Sequence, residues 1–359
     1  MDVELKKLNE QVLVITGASS GIGLATARMA AKRGARLVLA ARSADALKQL
    51  TDEITSAGGK AIYVVADVGR EEDVRRISQT AIERFGGFDT WVNNAGVSVY
   101  GKLMDVPIAD LRQLFETNFW GVVYGSRVAC EYLRMRGGAL INVGSTLSDR
   151  AIPLQGMYCA SKHAVKGFTD ALRMELEMDD APVCVTLIKP AAINTPYTEH
   201  AKNFMEVEPQ HPAPVYAPEV AAETILYCAE HPERDVFVGA GGKMTSALGH
   251  YAPRLTDVLM ENMMAKQQKS DKPPRPHAEN GLYKANNDLR EHGNYEGHVA
   301  ESSLYTKASL HPLLTGALLA SAGFAVATLM RPSSNGKANG RARANLHKLQ
   351  TQDNTGLRG

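Results

Sequence analysis

Tyr158 and Lys162 stand four residues apart in the run G-M-Y-C-A-S-K, Gly156 to Lys162. On a helix that separation is about one turn, so the phenol and the ammonium rise from one face as neighbours. A free tyrosine titrates near pKa ~10 and is a poor acid or base at neutral pH. A cation beside it stabilises the phenolate and draws the pKa down toward the working range. The pair is therefore fitted for proton transfer to or from an oxygen. Taken alone, Tyr-x-x-x-Lys describes two surface residues of an amphipathic helix at least as well. What distinguishes this pair is the series of polar groups upstream of it.

The first is T-G-A-S-S-G-I-G, Thr16 to Gly23, between the apolar run Gln11 to Thr16 and a helix over about Gly21 to Lys32. Gly17, Gly21 and Gly23 let the backbone pass close to a ligand, and Ser19, Ser20 and Ile22 fill the loop. The helix's first amides and its dipole favour a pyrophosphate. Next, Arg36 to Ala41 reads as a second strand and ends at Ala41-Arg42. An acid at that strand end would hold a ribose 2′-hydroxyl, whereas Arg42 suits a 2′-phosphate and so favours NADP over NAD. A third strand, Ala61 to Ala66, delivers Asp67-Val68 for the adenine, although Asp67 could equally cap the following helix. A fourth, Thr90 to Asn93, delivers Asn93-Asn94-Ala95-Gly96, where two amides and a glycine can fix the local backbone and let the chain lie close to a cofactor. Asn118 interrupts a long helical stretch from about Pro107 to Met135, a position where asparagine has poor propensity. Ser145 follows a fifth strand, Ala139 to Val143, and puts a hydroxyl at its carboxyl end.

The elements that must position these groups alternate strand and helix through a sixth strand at Val183 to Ile188 and a seventh at Asp235 to Val238. That alternation predicts an α/β fold, a doubly wound parallel sheet with right-handed crossovers and helices on both faces. Ligands of such sheets bind beyond the strands' carboxyl ends, where every group named above falls.

With 44% hydrophobic and 22% charged residues over 359 positions, the composition is that of a globular protein with a sizeable core. A net charge of +1 provides no field to recruit nucleic acid. Cys130, Cys159, Cys184 and Cys228 are scattered, and the ten histidines form no ligand motif, so no metal site or disulfide scaffold is expected. The opening residues M-D-V-E-L-K-K-L-N-E carry no apolar run before a cleavage site, which predicts a cytoplasmic, reducing location.

In order and spacing, T-G-A-S-S-G-I-G, N-N-A-G, Asn118, Ser145, Y-C-A-S-K and P-A-A-I-N-T resemble the short-chain dehydrogenase/reductase family over about Gln11 to Gly239. The resemblance implies a Rossmann-like domain using NAD or NADP to interconvert alcohols and carbonyls, and a homo-oligomer, dimer or tetramer. It assigns Tyr158 as acid/base, Lys162 as the group that tunes it and holds the nicotinamide ribose, Ser145 as partner of the substrate oxygen, and Asn118 as anchor of a water-linked proton relay. Pro190, Ile193 and Thr195 would meet the nicotinamide side of the cofactor. The family's Pro-Gly is Pro190-Ala191 here, so the entry to the substrate loop is open to change. The implied partner is a small-molecule carbonyl or alcohol. Tyr197, Phe204, Met205 and Val207 in the loop, with Val97, Tyr100, Leu147, Leu154 and Met157, suggest an apolar substrate or simply pack together. A non-catalytic nucleotide sensor or scaffold on the same fold is the alternative, and it has no need of all four of Asn118, Ser145, Tyr158 and Lys162.

Beyond the domain at 1–245 lie an expected helix at 246–268, a polar linker at 269–311 that is extended or disordered, and the uncharged run 312–330. Leu282-Tyr283 and Leu304-Tyr305 within or near the linker are candidates to dock on the domain. The run 312–330 has the length of a bilayer span, but the basic tail 331–359 and the catalytic domain would then lie on opposite sides. A span, an anchor lying on the cytoplasmic membrane and a soluble docking helix all remain open.

Overall fold

The computed structural model describes residues 3–276 and 280–311, with Thr315 and Ser321 beyond them. Seven strands form one parallel sheet: β1 (Val12–Thr16), β2 (Arg36–Ala41), β3 (Lys60–Val65), β4 (Thr90–Asn93), β5 (Gly138–Val143), β6 (Val183–Pro190) and β7 (Asp235–Val238). Their spatial order is β7-β6-β5-β4-β1-β2-β3. The order reverses between β1 and β4, which opens a crevice at their carboxyl ends.

The central strands are buried on both faces, as near-continuous apolar runs require, whereas the edge strand β3 alternates buried and exposed residues. Val12, Val14, Val38 and Ala40 join one apolar cluster with Val74, Ile77, Val128 and Leu133, and the alternating Leu13, Ile15, Leu37 and Leu39 are fully buried as well. Helix α1 (Gly21–Lys32) follows β1, α2 (Ala44–Ser56) follows β2 and α3 (Glu71–Phe85) follows β3. Ser43 caps α2 by accepting the Ala46 N–H at 3.2 Å, and Gly86 ends α3 in the left-handed conformation at φ 80°.

The stretch expected as one helix from Pro107 to Met135 is three pieces: α4 (Ile108–Phe115), a π turn (Glu116–Trp120) and α5 (Gly121–Leu133). The widened turn holds Asn118, a common association of such bulges with functional positions. Helix α6 (Gly156–Met178) carries Tyr158 and Lys162, and α7 (Pro218–Glu230) precedes β7 and packs on α1.

The helix expected at 246–268 begins earlier and is broken. Helix α8 (Ala240–Tyr251) is followed at Pro253 by α9 (Pro253–Leu259) and a second π turn (Met260–Met264). Pro253 has no N–H to continue the ladder, so it starts a helix rather than extending one. The segment expected as a polar linker is packed and ends in a short helix, Leu304–Leu310: Val299–Ala300 pairs with Val215–Tyr216, which pairs in turn with Ala192–Ile193. Leu282 is completely buried, whereas Leu304 is exposed, so only the first of the two candidate dipeptides docks through its leucine.

Contacts divide the chain into Met1–Lys307 and Ala308–Gly359. In the second unit the Thr315 N–H donates to the His311 carbonyl at 3.0 Å. Apart from Thr315 and Ser321, the apolar run 312–330 and the tail 331–359 lie outside the described residues. Among the described residues no helix is long and apolar enough to cross a membrane.

Candidate active site

A cavity of about 480 Å³ occupies the crevice at the strands' carboxyl ends. Gly17, Ser19, Ser20, Gly21, Ile22, Arg42, Asp67, Val68, Asn94, Ala95, Gly96, Ser145, Tyr158, Lys162, Pro190, Ile193 and Thr195 all line it. Of the catalytic and cofactor-binding residues expected from the sequence, Gly23 and Asn118 do not line it. Both act from behind.

Gly23 is needed because α1 starts against the turn that precedes it. A Cβ there would sit 2.2 Å from the Gly17 carbonyl oxygen and 2.5 Å from Asn94 Nδ2. Asn94 locks the same turn, donating through Nδ2 to the carbonyls of Thr16 at 3.0 Å and Gly17 at 3.3 Å. Gly17 and Gly21 take φ of 67° and 53°, which a side chain would strain. The loop thus forms a cradle at the start of a helix, the geometry that suits a pyrophosphate, with the Gly21 N–H donating to the Arg290 carbonyl at 2.9 Å.

Asn118 spends both amide atoms on one residue. The Val97 N–H donates to its Oδ1 at 2.8 Å, and its Nδ2 donates to the Val97 carbonyl at 3.0 Å. It also reaches Ser161 Oγ at 3.3 Å, which ties the π turn to α6 and to the strand-four loop. Asp67 does not cap α3. Its Oδ1 accepts the Gly69 N–H at 3.0 Å, while Asp73 reaches back to accept the Asp67 N–H at 2.9 Å.

Arg42 projects from the end of β2 and donates to the backbone carbonyls of Gly281 and Leu282. Ala191, in the place of a glycine, shows no positive φ, and its N–H donates to the Val238 carbonyl at 2.9 Å. Alanine at this position therefore leaves the loop entry intact.

At the centre, the Lys162 ammonium lies 5.7 Å from the Tyr158 ring centroid and donates to the Val143 carbonyl at 2.8 Å. Burial lowers the Lys162 pKa from 10.5 to about 8. Tyr158 goes the other way. Burial pushes its phenol up to about 12, against hydrogen bonds from Tyr197 and Ser145 that favour the phenolate. The depression expected from Lys162 does not emerge; burial outweighs the two hydrogen bonds, and the phenol rests protonated at neutral pH. Ser145 Oγ also accepts the Leu147 N–H at 3.0 Å, which orients the hydroxyl at the strand end.

Sequence reasoning took Tyr197 as an apolar loop residue. Here it stands edge-on to Tyr158, with ring centroids 5.5 Å apart, and its hydroxyl donates to Gln155 Oε1 at 3.0 Å. Gln155 donates in turn to Gln268 Oε1 at 2.8 Å. Position directly before the catalytic helix was the one signal Gln155 offered. His211 stacks on Tyr197, and burial lowers its pKa to about 4, so the imidazole is neutral. Of the apolar residues expected near the site, Val97, Tyr100, Leu147 and Tyr197 line the cavity, whereas Met157 and Phe204 pack into a neighbouring cluster around Leu114. Among the described residues, the groups close enough to share an ion are Glu219, Glu291 and His292, at the surface.

The family model described as short chain dehydrogenase matches residues 11–206. The uncharacterized oxidoreductase YxnA of Bacillus subtilis (strain 168) is 51% identical over 321 residues, 89% of this chain and 90% of its own. The 11-beta-hydroxysteroid dehydrogenase A of Sesamum indicum is 40% identical over 191 residues, 53% of this chain and 54% of its own. Among solved structures, a short chain dehydrogenase/reductase from Burkholderia phymatum in complex with NAD aligns at TM-score 0.62 and 25% identity, covering 74% of this chain and 99% of that one. An alcohol dehydrogenase from the archaeon Thermococcus sibiricus complexed with 5-hydroxy-NADP aligns at TM-score 0.56 and 28% identity, covering 63% and 95%.

Proposed function

Since the chain belongs to the short-chain dehydrogenase family of oxidoreductases, we propose that it transfers hydride between NADP(H) and the carbonyl or secondary alcohol of an apolar substrate. The observation that carries this reading is the meeting of Tyr158, Ser145 and Lys162 at one cavity, with the phenol held protonated beside a buried ammonium.

A bound nicotinamide supplies the hydride in reduction and accepts it in oxidation. The glycine cradle of Gly17 and Gly21 leaves room for the dinucleotide's pyrophosphate. In carbonyl reduction, Tyr158 gives its Oη proton to the substrate oxygen as negative charge develops there, and Ser145 Oγ hydrogen-bonds the same oxygen. Lys162 stabilises the phenolate left on Tyr158, because an ammonium favours the charged form of a neighbouring acid. Asn118, bonded to Val97 and Ser161, holds α6 in place against the loop after β4.

Arg42 at the end of β2, with Ala41 before it, supports NADP over NAD. The structural neighbours named above carry one cofactor of each kind, so the arginine is the basis of the preference. Leu147, Ile152, Met244, Met263 and Met264 line the cavity beyond Ser145 and support an apolar substrate. The name of the Sesamum relative adds steroids to the ketones worth trying.

The test is transfer of deuterium from [4-²H]NADPH to product across ketones, steroids, sugars and long-chain aldehydes. Label in a product alcohol is expected. No transfer to any of them, from NADPH or NADH, overturns the reading.

A further inference from the structure

Residues 281–293 lie outside the family-matched stretch, which ends at 206, yet they cross the mouth of the crevice. Gly281, Ala285 and Asn286 line the cavity beside Arg42, Ser43 and Asp67, the end of the groove where the adenosine half of a dinucleotide falls. The strap is tied down on both banks. On the nucleotide side, the Gly21 N–H donates to the Arg290 carbonyl at 2.9 Å, Ser43 Oγ donates to Asn287 Oδ1 at 2.5 Å, and Arg28 pairs with Glu291 at 2.8 Å. On the substrate side, the Gly281 N–H donates to the His200 carbonyl at 2.7 Å, Asp288 meets His200 at 2.9 Å, and the Gly293 N–H donates to the Asn194 carbonyl at 3.2 Å.

We infer that residues 281–293 are part of the nucleotide site: they form its outer wall over the adenosine end and must part from the groove for a dinucleotide to enter or leave. This rests on the oxidoreductase reading above.

The two kinds of tie differ in strength, and the difference says how the strap moves. Leu282, fully buried among Val97, Val99, Val106, Leu111 and Leu114, is the firm anchor, and Tyr283 adds a hydrogen bond to Asp110 at 2.7 Å. The ion pairs of Arg28 with Glu291 and of Arg290 with Glu199 are partly exposed and screened by salt. The segment from 284 to 293 therefore swings from a fixed point at Leu282. At the fixed end, Gly281 and Leu282 present two carbonyls to Arg42, which keeps the guanidinium at the cavity while leaving its remaining N–H groups for a ligand phosphate.

Gly293 supplies the handle for a test. A Cβ there would lie 2.4 Å from the Thr195 carbonyl oxygen and 2.8 Å from its carbon, both backbone atoms that cannot give way. Gly293→Val should lift the strap, releasing the Gly21 N–H from the Arg290 carbonyl, while leaving the sequence of the glycine turn and Tyr158 unchanged.

Hydrogen exchange of the full-length wild-type protein, with and without NADPH, reads the closure directly, and stopped-flow displacement reads release. The expected results are slower exchange at 284–293 on NADPH binding and about tenfold faster NADPH release from Gly293→Val, since affinity changes fall mostly on dissociation. NADPH binding to the wild type with unchanged exchange at 284–293 overturns the inference, whatever the variant does. A folded Gly293→Val that releases NADPH at the wild-type rate overturns it too. If the wild type binds neither NADPH nor NADH, the oxidoreductase reading falls first and this inference with it.

Discussion

The Lys162 ammonium donates to the Val143 carbonyl at 2.8 Å, so the cation beside the catalytic phenol hangs from the end of β5, with no carboxylate among the described residues to balance it. A buried cation without a counter-charge costs folding free energy, and the shift of Lys162 from 10.5 to about 8 expresses that cost. The sign is that of a depressed base: the unfolded chain binds the proton more tightly, so the penalty is full below about pH 8 and fades as pH rises toward 10.5.

Replacing the cation therefore trades stability against function. Lys162→Met removes a penalty of about 3 kcal/mol at neutral pH and leaves the Val143 carbonyl without its donor at a cost of about 1–2 kcal/mol. The expected outcome is a melting temperature raised by a few degrees, measured by calorimetry, together with loss of turnover. A variant less stable than the wild type at pH 7 contradicts this account of Lys162.

The same shift sets the pH dependence of carbonyl reduction. Tyr158 stays protonated to about pH 12, so the proton donor does not limit the rate in the ordinary range. Lys162 loses its charge above about pH 8 and with it the stabilisation of the phenolate left by proton transfer. The profile of kcat/KM for reduction is expected to be level below about pH 8 and to fall above it. A profile that instead rises through pH 9 assigns the titration to another group.

Arg42 gives a prediction on cofactor choice. With two of its N–H groups on strap carbonyls, its cation remains at the cavity wall. Arg42→Ala should weaken NADPH binding by about ten- to a hundredfold, the worth of a charge-assisted hydrogen bond, and change NADH binding little. Calorimetric titration of both cofactors checks it; equal losses for the two would remove Arg42 from the discrimination.

The sheet was legible because its central strands are buried on both faces and so read as apolar runs, several of them ending in glycine or asparagine at the crevice. Tyr158, Lys162, Ser145 and the glycine turn reach the cavity because they sit at strand ends or on helices that the alternation alone locates. Asn118 was visible only as a poor helix former; nothing in E-T-N-F-W-G marks a π turn. The direction of the Tyr158 shift was misjudged because spacing reveals a neighbouring cation but not the depth of burial that opposes it. The strap escaped notice for a different reason. Its ties at Gly21 and Arg42 are to backbone carbonyls of Arg290, Gly281 and Leu282, which any residue type offers, so a polar stretch rich in Asn and Gly carried no pattern to read.

The central claim is that the phenol of Tyr158 supplies the proton. Single-turnover reduction by wild-type and Tyr158→Phe protein, with NADPH affinity measured in parallel, tests it most directly. The account predicts a loss of about 10²–10⁴-fold in the chemical step with NADPH binding retained. Near-wild-type turnover by Tyr158→Phe would contradict it.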